Sequence, residues 1–167
     1  MDALSARKGF TLIELLIVIS IIVVLATLFI AIFPGAQKSA RDTRRESDIK
    51  QYQTAVEAFA NRSNNLYLHY NSSVQVCSGA PSFFSALGLT GACIDDPVGT
   101  AHYTYISGPG SGNGVASATS YVLYASLERT DSTGNSLYWV SCSNGSSGKV
   151  LQSSWTPSSN CPANFVP

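Results

Sequence analysis

The sequence predicts an α+β protein: a long N-terminal α-helix, apolar in its first half and amphipathic in its second, packed against a small antiparallel β-sheet head. Three observations carry that prediction. From Phe10 to Phe33 the run FTLIELLIVISIIVVLATLFIAIF holds 24 residues with a single charge, long enough as a helix to cross about 30 Å of hydrocarbon with some tilt. After it, Ile49, Tyr52, Val56 and Phe59 recur at spacings of three, four and three, which places them on one helical face. Beyond residue 62 the composition changes to Ser, Gly, Thr, Asn and Tyr, with short segments in which aromatic or β-branched residues fall near alternate positions.

The apolar run belongs in a membrane at some stage. It is too long for the core of a secretory signal, and no A-x-A-like cleavage site follows it. Pro34-Gly35 then interrupts the pattern: proline has no N–H to give the preceding turn and glycine weakens the helix beside it, so a kink or locally melted turn is expected there. Residues 34–62 resume as an amphipathic helix. Its other faces carry Lys38, Arg41, Asp42, Arg44, Arg45, Glu46, Asp48 and Lys50, a mixture of signs that reads as a solvated, salt-bridged surface; the sharper alternative is contact between neighbouring subunits. Asn61 to Asn65 (NRSNN) reads as the stop signal.

The head, residues 63–167, opens with few strong signals. Pro81 to Leu89 suits a short helix or turn, and Asp95-Asp96-Pro97 a turn. Strands are expected over Tyr103 to Ser107, Tyr121 to Leu127 and Leu137 to Ser141, forming an antiparallel meander on the amphipathic part of the helix. Gly108 to Gly114 (GPGSGNG) reads as a flexible hairpin connection. It lacks the GK[ST] ending of a phosphate loop. The tail from Asn144 to Pro167 is rich in Ser, Asn and Pro, and would be loose unless Cys142 and Cys161 close it into a loop.

Length and charge narrow the function classes. With the first third of 167 residues spent on one membrane-type segment, only about a hundred remain to build one globular core. Formal net charge is zero and 12% of residues are charged, so no bulk attraction to nucleic acid or to an anionic surface is indicated, and no clear nucleic-acid site is present. Eight of the ten Lys and Arg lie between Arg7 and Arg62, leaving only Arg129 and Lys149 downstream. The four cysteines, Cys77, Cys93, Cys142 and Cys161, all follow the apolar segment and none forms a C-x-x-C. Two disulfides and a location outside the cytoplasm are the economical reading; four free thiols in a cytosolic domain are the alternative. Three connectivities can be drawn from sequence.

The N-terminus reads Arg7-Lys8-Gly9-Phe10-Thr11-Leu12-Ile13-Glu14-Leu15-Leu16. This short basic leader ending in glycine, followed by phenylalanine and an apolar run with glutamate at its fifth place, resembles the type III signal sequence of type IV prepilins and pseudopilins. The match is dense over some 15 residues; the amphipathic continuation and the late cysteines are similar to the family only in plan. The resemblance implies a leader of residues 1–9, cleavage between Gly9 and Phe10 by an aspartyl prepilin peptidase, and N-methylation of Phe10. It implies a filament-core helix over residues 10–33 and a pilin-like fold overall. A glycine before the cut has a physical reason, since without a Cβ it adapts to the closely approached cleft of a peptidase.

Glu14 is conspicuous on composition alone, because a carboxylate in a hydrocarbon-spanning helix needs a partner or must be neutralised. In the family the implied partner is the N-terminal amine of an adjacent subunit, which sets axial register as subunits dock. A glutamate that snorkels or is protonated near the membrane face is the plainer alternative. The resemblance further implies that Cys142 and Cys161 close a C-terminal loop, leaving Cys77 with Cys93, each bond worth roughly 3 kcal/mol in the chain-entropy model. Pro34 departs from the family pattern, in which the helix-breaking proline comes earlier; a role for Pro34 and Gly35 as a helix break on assembly is the expectation retained.

The partners so implied are the chain itself in a helical homopolymer, the peptidase, an inner-membrane platform protein and an assembly ATPase, with the membrane before assembly and an extracellular pilus after it. A basic cluster close behind the span (Lys38, Arg41, Arg44, Arg45) would by charge count alone invert the anchor; the leader and the cysteines argue for the head outside. No enzyme is expected: His69 and His102 are the only histidines, neither falls in a catalytic or metal-ligand motif, and no cofactor is indicated. Asp95-Asp96 as a calcium loop is weaker than Asp95-Asp96 as a turn. The sequons at Asn61, Asn71 and Asn144 allow glycosylation without requiring it. Rival readings are a pseudopilin of a type II secretion or competence system and, from another class, a membrane-anchored surface-binding module.

Overall fold

Residues 12–33 lack any helix breaker and are dominated by Leu, Ile and Val, and the helix they start runs on without interruption. In the computed structural model, which describes residues 9–78, 83–99 and 101–166, helix α1 spans Leu12–Arg62, 51 residues. The expected leader therefore lies outside the described residues except for Gly9, as does the start of the Pro81 to Leu89 segment. The chain divides into two units, one ending at Gln37 and one beginning at Lys38, and α1 contributes to both.

In the first unit, Leu12–Ile30 has a mean hydropathy of 3.0 and none of it is buried by the rest of the chain. The hydroxyls it contains are satisfied within the helix, Ser20 Oγ donating to Ile17 O at 2.7 Å and Thr27 Oγ1 to Val24 O at 2.8 Å, so neither needs water in an apolar surround. The break expected at Pro34-Gly35 is not present: both residues lie inside α1. Proline removes one backbone bond at a cost of about 3 kcal/mol, and the many unbroken turns on each side hold the helix together across that single gap.

In the second unit, α1 buries Ile49, Tyr52, Val56 and Ala60 against the sheet, with Phe59 partly buried beside them. The helix ends as its Asn-rich stop signal requires. Asn64 and Asn65 adopt left-handed φ values of 54° and 60°, and Ser63 N and Asn65 N both donate to Ala60 O at 2.9 Å, capping an orphan carbonyl.

The head holds two antiparallel sheets. β1 (Tyr67–His69) pairs with β4 (Val115–Ala118). The larger sheet has the order β2 (Val74–Gln75), β3 (Thr104–Ser107), β5 (Tyr121–Thr130), β6 (Ser136–Cys142), β7 (Ser147–Leu151). The three expected strands correspond to β3, β5 and β6, and their mutual pairing is antiparallel as expected. The meander is wider than the sequence suggested. β7 was hidden in the Ser-rich tail, but its turn was written at Asn144-Gly145: Gly145 has φ +84° and Asn144 Oδ1 accepts from Ser146 N at 2.9 Å, a hairpin signal.

Gly108 to Gly114 is also more than a hairpin connection. It leads into β4, and Gly110 lies so close to its neighbours that an added Cβ would stand 2.7 Å from His69 Cδ2 and 2.9 Å from Ser117 O. Ser111 N donates to Ser117 Oγ at 3.0 Å and Ser117 Oγ donates to Ser111 O at 2.6 Å.

Period-two alternation gives the larger sheet two apolar faces. Tyr105, Tyr121, Leu123 and Ala125 face α1; Val122, Val140, Cys142 and Val150 face the other way, under Trp155. Tyrosine can fill the first core because its hydroxyls are paired: Tyr105 donates to Leu68 O at 2.7 Å and Tyr121 to Glu57 Oε1 at 2.8 Å. The short helix α2 (Phe83–Ala86) adds Phe83, whose ring centre is 4.2 Å from that of Tyr105. Cys77 is bonded to Cys93 against this core, and Cys142 to Cys161 against the second.

Candidate assembly site

The start of α1 is built from four neighbouring residues. Thr11 is the N-cap of a helix whose first residue is Leu12, and Glu14 stands at the third helical position. Thr11 Oγ1 accepts from Glu14 N at 3.3 Å, while Glu14 Oε2 accepts from Thr11 N and from Thr11 Oγ1, each at 2.9 Å. This is a capping box, in which a threonine and a glutamate three places later satisfy each other's backbone donors. The four letters TLIE carry its signature, and reading Glu14 only as a membrane-buried charge misses it. The carboxylate is thus held at the helix N-terminus, where the macrodipole favours negative charge.

Around it the surface is apolar and open: Phe10 is 87% exposed and Leu12 90%. Gly9 meets nothing, since a Cβ built there would have no atom within 4 Å. Among the described residues, packing therefore does not require its identity.

The charged stretch of α1 is organised differently from the solvated face expected. Asp42, Arg45 and Asp48 are 0%, 1% and 4% exposed, because they continue the inward stripe of Ile49, Tyr52 and Val56 by one and two turns. Arg45 donates Nε and Nη2 to Asp96, and Nη1 to Asp42 Oδ1 at 2.7 Å and Glu128 Oε1 at 2.8 Å. Arg41 grips Glu128 with Nε at 2.7 Å and Nη2 at 2.5 Å. Asp42 also accepts the backbone N–H groups of Glu128 and Arg129, both at 2.9 Å. Three carboxylates and three guanidiniums, with Arg129 as the third, so compensate one another.

Burial disfavours the Arg45 charge, but its hydrogen bonds to Asp96, Glu128 and Asp42 outweigh that and hold its pKa above the usual value. The Arg41 hydrogen bond, with help from Arg45, lowers Glu128 to about 2. For Asp96 burial acts upward, yet the Arg45 guanidinium and the backbone N–H of Val98 bring it below the ordinary value. Asp48 accepts from Tyr103 OH at 2.7 Å. The spacing 42, 45, 49, 52 was the signal for this inward face; the distant partners Asp96 and Glu128 had none.

The other singled-out residues have local partners. Asp96 is committed to Arg45 and to its own turn through Val98 N at 2.9 Å, which corrects the calcium reading of Asp95-Asp96: Asp96 has no free carboxylate edge for a cation. His102 Nδ1 lies 2.8 Å from Asp95 Oδ2, and His69 Nδ1 meets Gly112 O. Tyr52 OH donates to Ile94 O at 2.6 Å and lies 3.4 Å from Cys93 Sγ; burial pushes its pKa up to about 12. Among the described residues no group of three or more His, Cys, Asp or Glu is placed to hold a metal ion.

An apolar helix long enough to cross a membrane, opening with a capped glutamate and followed by an α+β head, suggests a membrane-anchored precursor. Residues 4–30 match the model of the prokaryotic N-terminal methylation motif, which supports a type IV pilin-like prepilin with a type III signal sequence. No curated protein and no solved structure matches it significantly.

Proposed function

We propose that this chain is a structural subunit of a type IV pilus filament, matured by prepilin peptidase cleavage between Gly9 and Phe10 and by N-methylation of Phe10. The observation that carries the reading is Glu14: a single carboxylate in an otherwise apolar, uncovered helix, preset at the helix start by Thr11. Once the leader is gone, the new amine of Phe10 lies four residues from Glu14 in its own chain, while an adjacent subunit's amine can approach the same carboxylate from outside. Pairing with that amine would fix axial register, and desolvation in the filament core would consume much of the Coulomb gain, so register rather than stability is the role assigned. Pro34-Gly35 supplies the weakest point at which α1 could melt when subunits pack.

Before assembly the subunit waits in the cytoplasmic membrane with its head outside. The pairing of Arg41 and Arg45 with Asp42, Asp96 and Glu128 supports that orientation, because it cancels the charges that would otherwise favour keeping the end of the span cytoplasmic. Extraction is then the work of the platform protein and its ATPase. N-terminal mass analysis of the mature protein from sheared surface filaments tests the proposal. A methylated phenylalanine start in abundant filaments, lost with Glu14→Ala while cleavage persists, is the expected result. Retention of residues 1–9, or normal filaments from Glu14→Ala, would overturn it; a mature chain found only in short envelope-spanning assemblies would make it a secretion or competence pseudopilin.

A further inference from the structure

Between Arg62 and Pro167 the chain has only two cationic side chains, Arg129 and Lys149, and both line one cleft of about 380 Å³ at the end of β5, the β5–β6 turn and β7. That volume lies within the range of small-molecule sites. Arg129 is anchored from behind: its backbone N–H and its Nε donate to Asp42 Oδ2 at 2.9 and 3.4 Å. Its terminal nitrogens, and Lys149 Nζ, have no ion pair or hydrogen bond among the described residues. The same holds for the hydroxyls of Thr130 and Ser132 on the cleft wall, whose floor is apolar, with Leu127 and Leu137.

Asp131 also borders the cleft, and its two oxygens are taken up by Thr133 and Asn135, the bonds ranging from 2.8 to 3.1 Å. Counted with Asp42 and Asp131, the two cations leave no surplus for a dianion. The four charges sum to zero, which disfavours a dianion more than a single carboxylate, and the unpaired nitrogens of the planar guanidinium suit a carboxylate's geometry.

We propose that this cleft binds an acidic sugar with one carboxylate per ring: the carboxylate meets Arg129 and Lys149, ring hydroxyls meet Thr130 and Ser132, and the apolar ring face rests on Leu127 and Leu137. The lining lies within residues 127–166 and is braced by Asp42, with no residue from the apolar stretch of α1, so the proposal stands or falls independently of filament assembly.

The full-length chain in detergent micelles, titrated with methyl glucuronide at low salt and followed by amide NMR, tests it. Saturable shifts confined to the cleft residues are expected, with affinity at least tenfold weaker for methyl glucoside, for inorganic phosphate and for Lys149→Gln. Ser132→Glu, at an exposed turn position, places a repelling charge at the mouth and should abolish binding while leaving distant amides unmoved. Absence of saturable glucuronide shifts, unchanged affinity in both variants, or phosphate binding as tightly as glucuronide would each overturn the proposal.

Discussion

Arg45 and Asp96, 51 residues apart in sequence, form a two-pronged ion pair out of contact with solvent, Nε meeting Oδ2 and Nη2 donating to Oδ1 at 3.1 Å. The pair joins α1 to the turn that precedes β3, and through Asp42 and Glu128 to the end of β5. Removing the cation strands Asp42 and Asp96 as buried carboxylates, 0% and 6% exposed. Arg45→Met is therefore expected to destabilise the head by about 3–5 kcal/mol, read as a lower denaturation midpoint by tryptophan fluorescence. A loss below about 1 kcal/mol, the ordinary value of a surface pair, would show that the network is not desolvated in solution.

Acid should act through Glu128. Its pKa stands near 4.5 ordinarily and at about 2 when folded, so below pH 4.5 the unfolded chain takes up the proton first and folding becomes less favourable. Stability from this group is fully present above its unfolded pKa and is lost as pH falls through the folded value. Asp96 shifts in the same direction, and Asp131, held at about 2 chiefly by the Asn135 backbone N–H, adds to the same window. Denaturation midpoints are expected to be flat between pH 8 and about 5 and to fall steadily toward pH 2. Glu128→Gln should start lower and fall less.

Cys142 and Cys161, 19 residues apart, fasten the tail over the second core. Replacing both by serine should cost about 3 kcal/mol on the chain-entropy model. It should also free Trp155, which packs edge-on to Tyr124 with ring centres 5.7 Å apart. Faster proteolysis after residue 151 and a red-shifted tryptophan emission are the readouts; an unchanged protease pattern would mean that packing alone holds the tail.

Gly110→Ala tests the loop before β4. The new methyl would stand 2.7 Å from His69 Cδ2, 2.9 Å from Ser117 O and 3.0 Å from Ala118 N. Two of these are backbone atoms paired in a sheet and cannot simply rotate away. A loss of about 1–3 kcal/mol is expected, with the His69 ring resonances displaced. A neutral substitution would show the loop to be free to move.

Helix α1, its apolar stretch and its Asn-rich end were legible because each rests on local periodicity or on one residue's backbone preference. β3, β5 and β6 were legible by alternation among aromatic and β-branched residues. β4 and β7 were not: VASA is short and built largely of small residues, SGKVL is short and opens on Ser-Gly, and only tertiary pairing makes them strands. The ion cluster was misread for a different reason. Charges on a helix normally face water, and the residues that overturn that rule, Asp96 and Glu128, come from 51 and 83 positions away. Pro34 shows the converse, a strong local signal outvoted by the helix around it. The capping box was fully local and was obscured by the louder anomaly of a carboxylate among aliphatic residues.

The two outer strands of the larger sheet are unlike the exposed helix. β2 is only two residues long, and on the far side of β7 Val166 N donates to Lys149 O at 2.8 Å, in an isolated bridge. Unpaired strand edges are templates for amyloid-like fusion, and a very short edge and a covered one both blunt that hazard. Copies of the head held close together would then not fuse edge to edge through this sheet, whatever brings them together.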